Sequence, residues 1–199
     1  MPILLKLKQK NNKDNTHFLK ENIELYIKKC VENDREAQLK VYQLFSPVLY
    51  GLCLKYMRNE DDAKDVFQEA FVIAFQKMGQ YKFEGSFEGW IKRIFINKLL
   101  ETLKKKKKDV LFLDVFDTEI VEEEELELVP IEHEKLLEYI QELPDQYRMV
   151  FNLFIFEKMK HKEIAKLLQI TEGTSKSNLN RAKSILKKRI LIVLNCKIA

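Results

Sequence analysis

Glycine and proline are scarce in this chain, five and four of 199 residues. Sheet-rich folds built on tight turns use more of both, so the sparing use points to helices. Cysteine is as thin: Cys30, Cys53 and Cys196 share no C-x-x-C spacing, which excludes a disulfide framework and a zinc knuckle and leaves isolated buried thiols. The three histidines, His17, His133 and His161, share no site with a nucleophile or a ligand set. No catalysis, metal or cofactor is therefore expected. Long apolar runs are missing as well: Met149-Val150-Phe151 and Leu153-Phe154-Ile155-Phe156 fall far short of the roughly 20 residues of a membrane span. Ile3-Leu4-Leu5 is too short for a signal-peptide core and is followed at once by Lys6 and Lys8. These absences predict a soluble, cytoplasmic protein without membrane insertion.

What is present is apolar material for a core, 46% of residues, and an uneven distribution of charge. Residues 1–108 hold 22 Lys and Arg against 14 Asp and Glu. Residues 109–134 hold 11 acids and no base, and residues 135–199 hold 13 bases against six acids. The overall +4 thus conceals an acidic block between two basic ones. The switch is abrupt, since Lys104 to Lys108 run straight into Asp109. Like charges at the density of Glu122 to Glu125 repel and resist packing. This predicts an all-α protein of two small helical domains joined by an acidic linker. The expected parts are a basic arm at 1–17, a first domain at 18–108, the linker at 109–132 and a second domain at 133–199. Basic domains of this size commonly meet a polyanion, although an acidic loop between two ordinary helical lobes would read the same way.

Helical spacing runs through both basic blocks. From Phe18, the residues Leu19, Ile23, Tyr26, Ile27 and Cys30 repeat on one face. Asn33-Asp34 offers an N-cap for a helix carrying Ala37, Leu39, Val41, Leu44 and Phe45, and Pro47 suits the first turn of a continuation to Tyr56. Asn59-Glu60-Asp61-Asp62 opens a third helix with acids at its positive dipole end, and Gly79 suits its end. Residues 80–89 read as an ordered loop, and a helix is expected from Trp90 to about Lys107. In the second block, helices are expected over 133–143, stopped by Pro144, then from Asp145 to about Phe156, over 161–168 and from about Glu172 to Val193.

Three constellations could carry chemistry. Lys162 to Thr174 places small Ala165 on a short helix, then apolar Ile170 in a tight turn, then Thr171 as cap of a second helix, which is a helix-turn-helix pattern. The second helix presents Lys176, Ser177, Asn180, Arg181, Lys183 and Lys187, with Leu179, Ala182 and Leu186 toward the core. A major groove accepts such a face, and so does water in a generic helical hairpin. In residues 81–108, an aromatic loop leads into Trp90-Ile91-Lys92-Arg93-Ile94-Phe95-Ile96-Asn97. Aromatics beside cations and an amide can capture unstacked bases, or simply be core residues beside a charged helix end. Asp61 to Glu69 forms an acidic helix face that solvent alone could explain.

Together these segments resemble the extracytoplasmic-function group of bacterial sigma factors. The resemblance is carried by Asp62-Ala63-Lys64-Asp65-Val66-Phe67-Gln68-Glu69-Ala70-Phe71, by Phe87-Glu88-Gly89-Trp90 through Asn97, and by Leu143-Pro144-Asp145-Gln146-Tyr147-Arg148. The series Glu163-Ile164-Ala165, Glu172-Gly173-Thr174, Lys176-Ser177 and Arg181-Ala182-Lys183 completes it, in the family's order and spacing. The resemblance implies two DNA-binding domains and core RNA polymerase as partner, through its β′ clamp helices and β flap. It implies that Asp61, Asp62, Asp65, Gln68 and Glu69 dock on the clamp. Phe83, Ser86, Phe87, Lys92, Arg93 and Asn97 would serve the minus-ten element, where a base is flipped. Lys176, Ser177, Asn180, Arg181 and Lys183 would read the minus-thirty-five duplex. An anti-sigma factor is a further partner that the family admits. Two positions depart from the pattern: Ser175 stands where the family usually has an apolar residue, and Asn178 where a basic one is common. Two other readings stay open here, a stand-alone helix-turn-helix regulator and a protein-interaction module that sequesters partners without binding DNA.

Overall fold

The computed structural model describes residues 23–108 and 132–198, with side chains through 105 and through 191. The expected arm at 1–17 and, apart from Glu132, the acidic linker lie outside the described residues. Every regular element among those described is helical. They are α1 over 23–31, α2 Arg35–Tyr56, α3 Glu60–Gln76, a 3₁₀ turn Met78–Gln80, α4 Phe87–Lys108, α5 His133–Gln141, α6 Asp145–Ile155, α7 His161–Leu168 and α8 Glu172–Ile198. The all-α expectation holds.

Local chemistry explains where the helices start. The Asp34 carboxylate accepts the Ala37 N–H at 2.7 Å and caps α2, as Asn33-Asp34 suggested. Asn59 caps α3 by accepting the Asp62 N–H at 2.8 Å. Helix α3 ends at Gln76 rather than Gly79, α5 at Gln141 rather than Leu143, and α8 runs on to Ile198. Two further differences have a local cause. Pro47 does not open a new helix but lies inside α2, which runs unbroken to Tyr56; one ladder rung is lost there, and flanking packing by Leu49, Leu52 and Cys53, all buried, keeps the helix whole. Helix α4 starts at Phe87, three residues before Trp90, because Ser86 Oγ accepts the Gly89 N–H at 3.0 Å. A side chain at Gly89 would crowd that hydroxyl, since a Cβ there would stand 3.1 Å from it.

The described residues pack as two compact units: residues 23–51 with 65–98, and residues 52–64 with 99–108 and 132–198. Packing units and predicted domains part at residues 52–64 and 99–108. The first unit closes largely with rings. Phe67 meets Tyr42, Tyr50, Phe71 and Phe95 edge-on, with centroids 5.0 to 6.0 Å apart, an arrangement that aromatic quadrupoles favour. The second unit gathers Tyr139, Ile140, Leu143, Tyr147, Ala182 and Leu186 into an apolar cluster.

Beside that cluster the second unit holds a polar hub. Arg148 is fully buried. Its Nε donates to the Tyr56 carbonyl at 2.9 Å, Nη1 donates to the Gln141 and Leu143 carbonyls, each at 2.7 Å, and Nη2 pairs with Asp145. Gln141 Nε2 donates to the Leu54 carbonyl at 3.0 Å and Asn152 Nδ2 to the Lys55 carbonyl at 2.7 Å. Carbonyls in the last turn of a helix lack intrahelical donors. Three successive ones at the end of α2 are thus satisfied by side chains nearly a hundred residues away, with a cation where the helix dipole is negative.

Candidate nucleic-acid interface

The loop between α3 and α4 is built around Tyr81. Its hydroxyl donates to the Gly85 carbonyl at 2.9 Å, and its ring touches Phe83, Phe87 and Trp90 at 5.1 to 5.5 Å between centroids. Phe83 and Gly85 both hold positive φ, +60° and +79°, so the loop folds back on itself; glycine takes this conformation freely and phenylalanine only under constraint. The result is a cavity of about 590 Å³ lined by Ile23, Ile27, Leu44, Phe45, Tyr81 and Phe83, with Ser86 and Phe87 at its wall and acidic Glu24 and Glu88 also lining it. Phe83 is 40% exposed at this cavity, with Lys28 Nζ 5.7 Å from its ring centre.

The structure brings Phe83, Ser86 and Phe87 to this cavity, but in different roles. Phe87 is only 5% exposed and packs against Phe45 and Trp90, so it is wall and core together. Ser86 is exposed and uses its oxygen as the helix cap. Along α4, Arg93 and Asn97 are exposed one turn apart, while Lys92 is half-buried and pairs with Glu88 at 2.7 Å. On α3, Asp61, Asp65, Gln68 and Glu69 form one exposed stripe opposite buried Ala63, Val66, Phe67 and Ala70. Two of the five expected docking residues are already engaged: Glu69 pairs with Lys98 at 2.6 Å and Asp62 with the Asn59 amide at 3.0 Å.

The second candidate surface rests on α7 and α8. Gln169 ends α7 with φ +59°, and the Ile170 N–H returns to the Ala165 carbonyl at 3.0 Å. Thr171 Oγ1 then accepts the Thr174 N–H at 3.0 Å and starts α8. Ala165 is half-buried, and Ile164 is the buried residue of α7. Ala165 contributes its carbonyl to the turn. Lys176, Ser177, Asn180, Arg181 and Lys183 are all exposed on α8, while Ser175, Asn178, Leu179, Ala182 and Leu186 are buried. Arg181 is steadied by the Tyr147 hydroxyl at 3.1 Å and lies over that ring, and Lys176 pairs with Glu172 at 3.2 Å.

Sequence reasoning did not assign His161 a place. It stacks on Phe154 and bonds buried Ser175; the visible signal was a serine at an apolar position of α8. No helix among the described residues is long and apolar enough to cross a membrane, and no group of three His, Cys, Asp or Glu there could hold a metal ion.

Comparison with known proteins bears on both surfaces. Residues 41–109 match the Sigma-70 region 2 family model, and residues 133–186 match Sigma-70, region 4. RNA polymerase sigma factor SigV of Bacillus subtilis (strain 168) is 30% identical over 141 residues, spanning 69% of this chain and 81% of that protein. ECF RNA polymerase sigma factor SigW of the same organism is 28% identical over 180 residues, spanning 82% of this chain and 94% of SigW. The chain belongs to the ECF group of RNA polymerase sigma factors. In this sigma factor, region 2 contains the cavity, the exposed strip of α4 and the acidic stripe of α3, and region 4 contains the helix-turn-helix. A solved relative, the sigma factor RpoE in complex with the anti-sigma factor NepR from Bartonella quintana, shares the fold at TM-score 0.52. It is 18% identical, with 77% of this chain and 96% of that one covered.

Proposed function

We propose that this sigma factor binds core RNA polymerase in the cytoplasm and directs it to promoters, reading the minus-thirty-five duplex with α8 and holding an unstacked minus-ten base in the Tyr81–Phe83 cavity. The observation that carries this reading is the exposed face of α8, where three cations and two hydrogen-bonding side chains stand on a capped helix whose other face is buried. Such a face suits base edges and phosphates in a major groove. The aromatic cavity suits a base taken out of its stack, which offsets the few kcal/mol of unstacking. The acidic stripe of α3 supplies the docking face for the β′ clamp, and the helix-turn-helix domain faces the β flap. An anti-sigma factor is the partner that would compete for these surfaces.

In vitro transcription with core polymerase tests the reading. Asp65→Lys with Gln68→Lys is expected to abolish holoenzyme formation in gel filtration. Lys183→Ala is expected to weaken promoter binding and reduce the salt slope by about one if it meets a phosphate. Phe83→Ala is expected to leave closed-complex binding intact and slow permanganate reactivity of the minus-ten thymines. A chain that binds promoter DNA equally well without polymerase would instead be a stand-alone regulator.

A further inference from the structure

Ser175 is fully buried in the first turns of α8, and the next two residues, Lys176 and Ser177, are exposed readers in the proposal above. A buried hydroxyl without a partner is costly. Its partner comes from another helix: His161 Nδ1, at the first residue of α7, lies 2.9 Å from Ser175 Oγ. The same imidazole is stacked on Phe154 of α6, with centroids 4.6 Å apart and planes 21° from parallel. One ring therefore joins α6 to both helices of the helix-turn-helix, and the junction ends beside the face assigned above to reading.

We propose that His161 is a positioning residue for duplex recognition: through Ser175 it fixes the first turns of α8, and with them the places where Lys176, Ser177, Asn180 and Arg181 meet the groove. This rests on the assignment of α8 as the minus-thirty-five reader. It also makes recognition acid-sensitive. The charged groups acting on the ring come from α8, Lys176 and Lys183 against protonation and Glu172 in its favour, while α6 meets the ring with Phe154. Burial first, then Lys176, holds the imidazole below its ordinary value. A released ring takes a proton more readily than the packed one. The junction is therefore intact above about pH 6.5, the ordinary imidazole value, and is lost as pH falls through the lowered one.

The test uses holoenzyme made from the full chain and core polymerase, and the readout is the ratio of affinities for a matched and a scrambled minus-thirty-five element. His161→Phe keeps a ring on Phe154 but orphans the Ser175 hydroxyl, and the ratio is expected to drop about tenfold. His161→Phe with Ser175→Ala removes both ends of the same contact, so its loss is expected to be no greater than that of His161→Phe alone. General loss of stability would lower both affinities together and leave the ratio unmoved. Ser175→Ala alone gives a second reading that does not depend on His161→Phe folding. Between about pH 7.5 and about pH 5.5 the wild-type ratio should shrink while that of Ser175→Ala stays level. Wild-type discrimination with an unchanged ratio in His161→Phe overturns the proposal and spares the reading of α8. So does a double variant as poor as the two single losses combined, or a Ser175→Ala ratio that follows pH as the wild type does. A wild type indifferent to the scrambled element overturns both.

Discussion

The two units are held together by different chemistry. In the first, rings meet rings: Tyr42, Tyr50, Phe67, Phe71 and Phe95 form one aromatic cluster, and Phe45, Tyr81, Phe87 and Trp90 form another around the cavity. In the second, apolar packing is threaded with buried polar groups. Arg148, Asn152, Ser175 and Asn178, the buried polar or charged side chains of the described residues, all lie there. Apolar packing is non-directional and tolerates substitution at constant volume, whereas a buried hydrogen-bonding group demands particular partners at particular atoms. The difference also separates the two candidate surfaces. The cavity is bounded by aromatic packing, while the first turns of α8 are tied to α7 by the His161–Ser175 contact.

Arg148→Met is the strongest way to sharpen this contrast. It preserves length and apolar bulk yet leaves the carbonyls of Tyr56, Gln141 and Leu143 without that donor. A loss of about 3–5 kcal/mol in urea denaturation is expected. A loss below about 1 kcal/mol would mean that the carbonyls find other donors, and the comparison would break. In the first unit Ile91, fully buried, is the matched control. Ile91→Leu is expected to cost less than about 1.5 kcal/mol in the same measurement. Helix caps should ignore the contrast because they act locally. Asp34→Ala in the first unit and Thr171→Ala in the second are each expected to cost about 1 kcal/mol. A much larger loss at Thr171 would show that the cap serves the tertiary junction too.

The smallest effect concerns the two thiols among the described side chains, Cys30 in the first unit and Cys53 in the second, both buried. Burial, with Asp34 second, pushes Cys30 up to about 11, and burial pushes Cys53 up to about 12. Both are therefore neutral near pH 7, and iodoacetamide labelling of Cys30 and Cys53 in the native chain is expected to wait for unfolding. Their contribution to stability is complete below about pH 8.5, where an unfolded thiol ionises, and declines as pH rises through the folded values. Rapid labelling of one thiol alone would identify a unit that opens locally.

Much of the helical framework was legible in the residues themselves. Apolar spacing and the caps at Asp34, Asn59 and Thr171 act within a few positions along the chain, and α7 spans the eight residues that the pattern indicated. The helix-turn-helix was visible for the same reason, because its cap, its turn and its exposed face lie within a short stretch. Helix α4 starts at Phe87 rather than at Trp90, because a single serine caps it inside a stretch whose aromatics read as loop. Pro47 suits the first turn of a continuation, whereas the surrounding packing carries α2 unbroken through it.

What the amino-acid sequence by itself determined was the set of groups and their local order: which faces are apolar, where helices begin, and which cations stand one turn apart. Only the tertiary structure decided which distant groups complete one another. Arg148, Gln141 and Asn152 satisfy carbonyls 87 to 97 positions away, and His161 turns an out-of-place Ser175 into a junction. Helical periodicity is a property of neighbours in the chain, so it can be read along the chain. A buried polar pair exists because folding removes water from both partners at once, and no spacing records which two will meet.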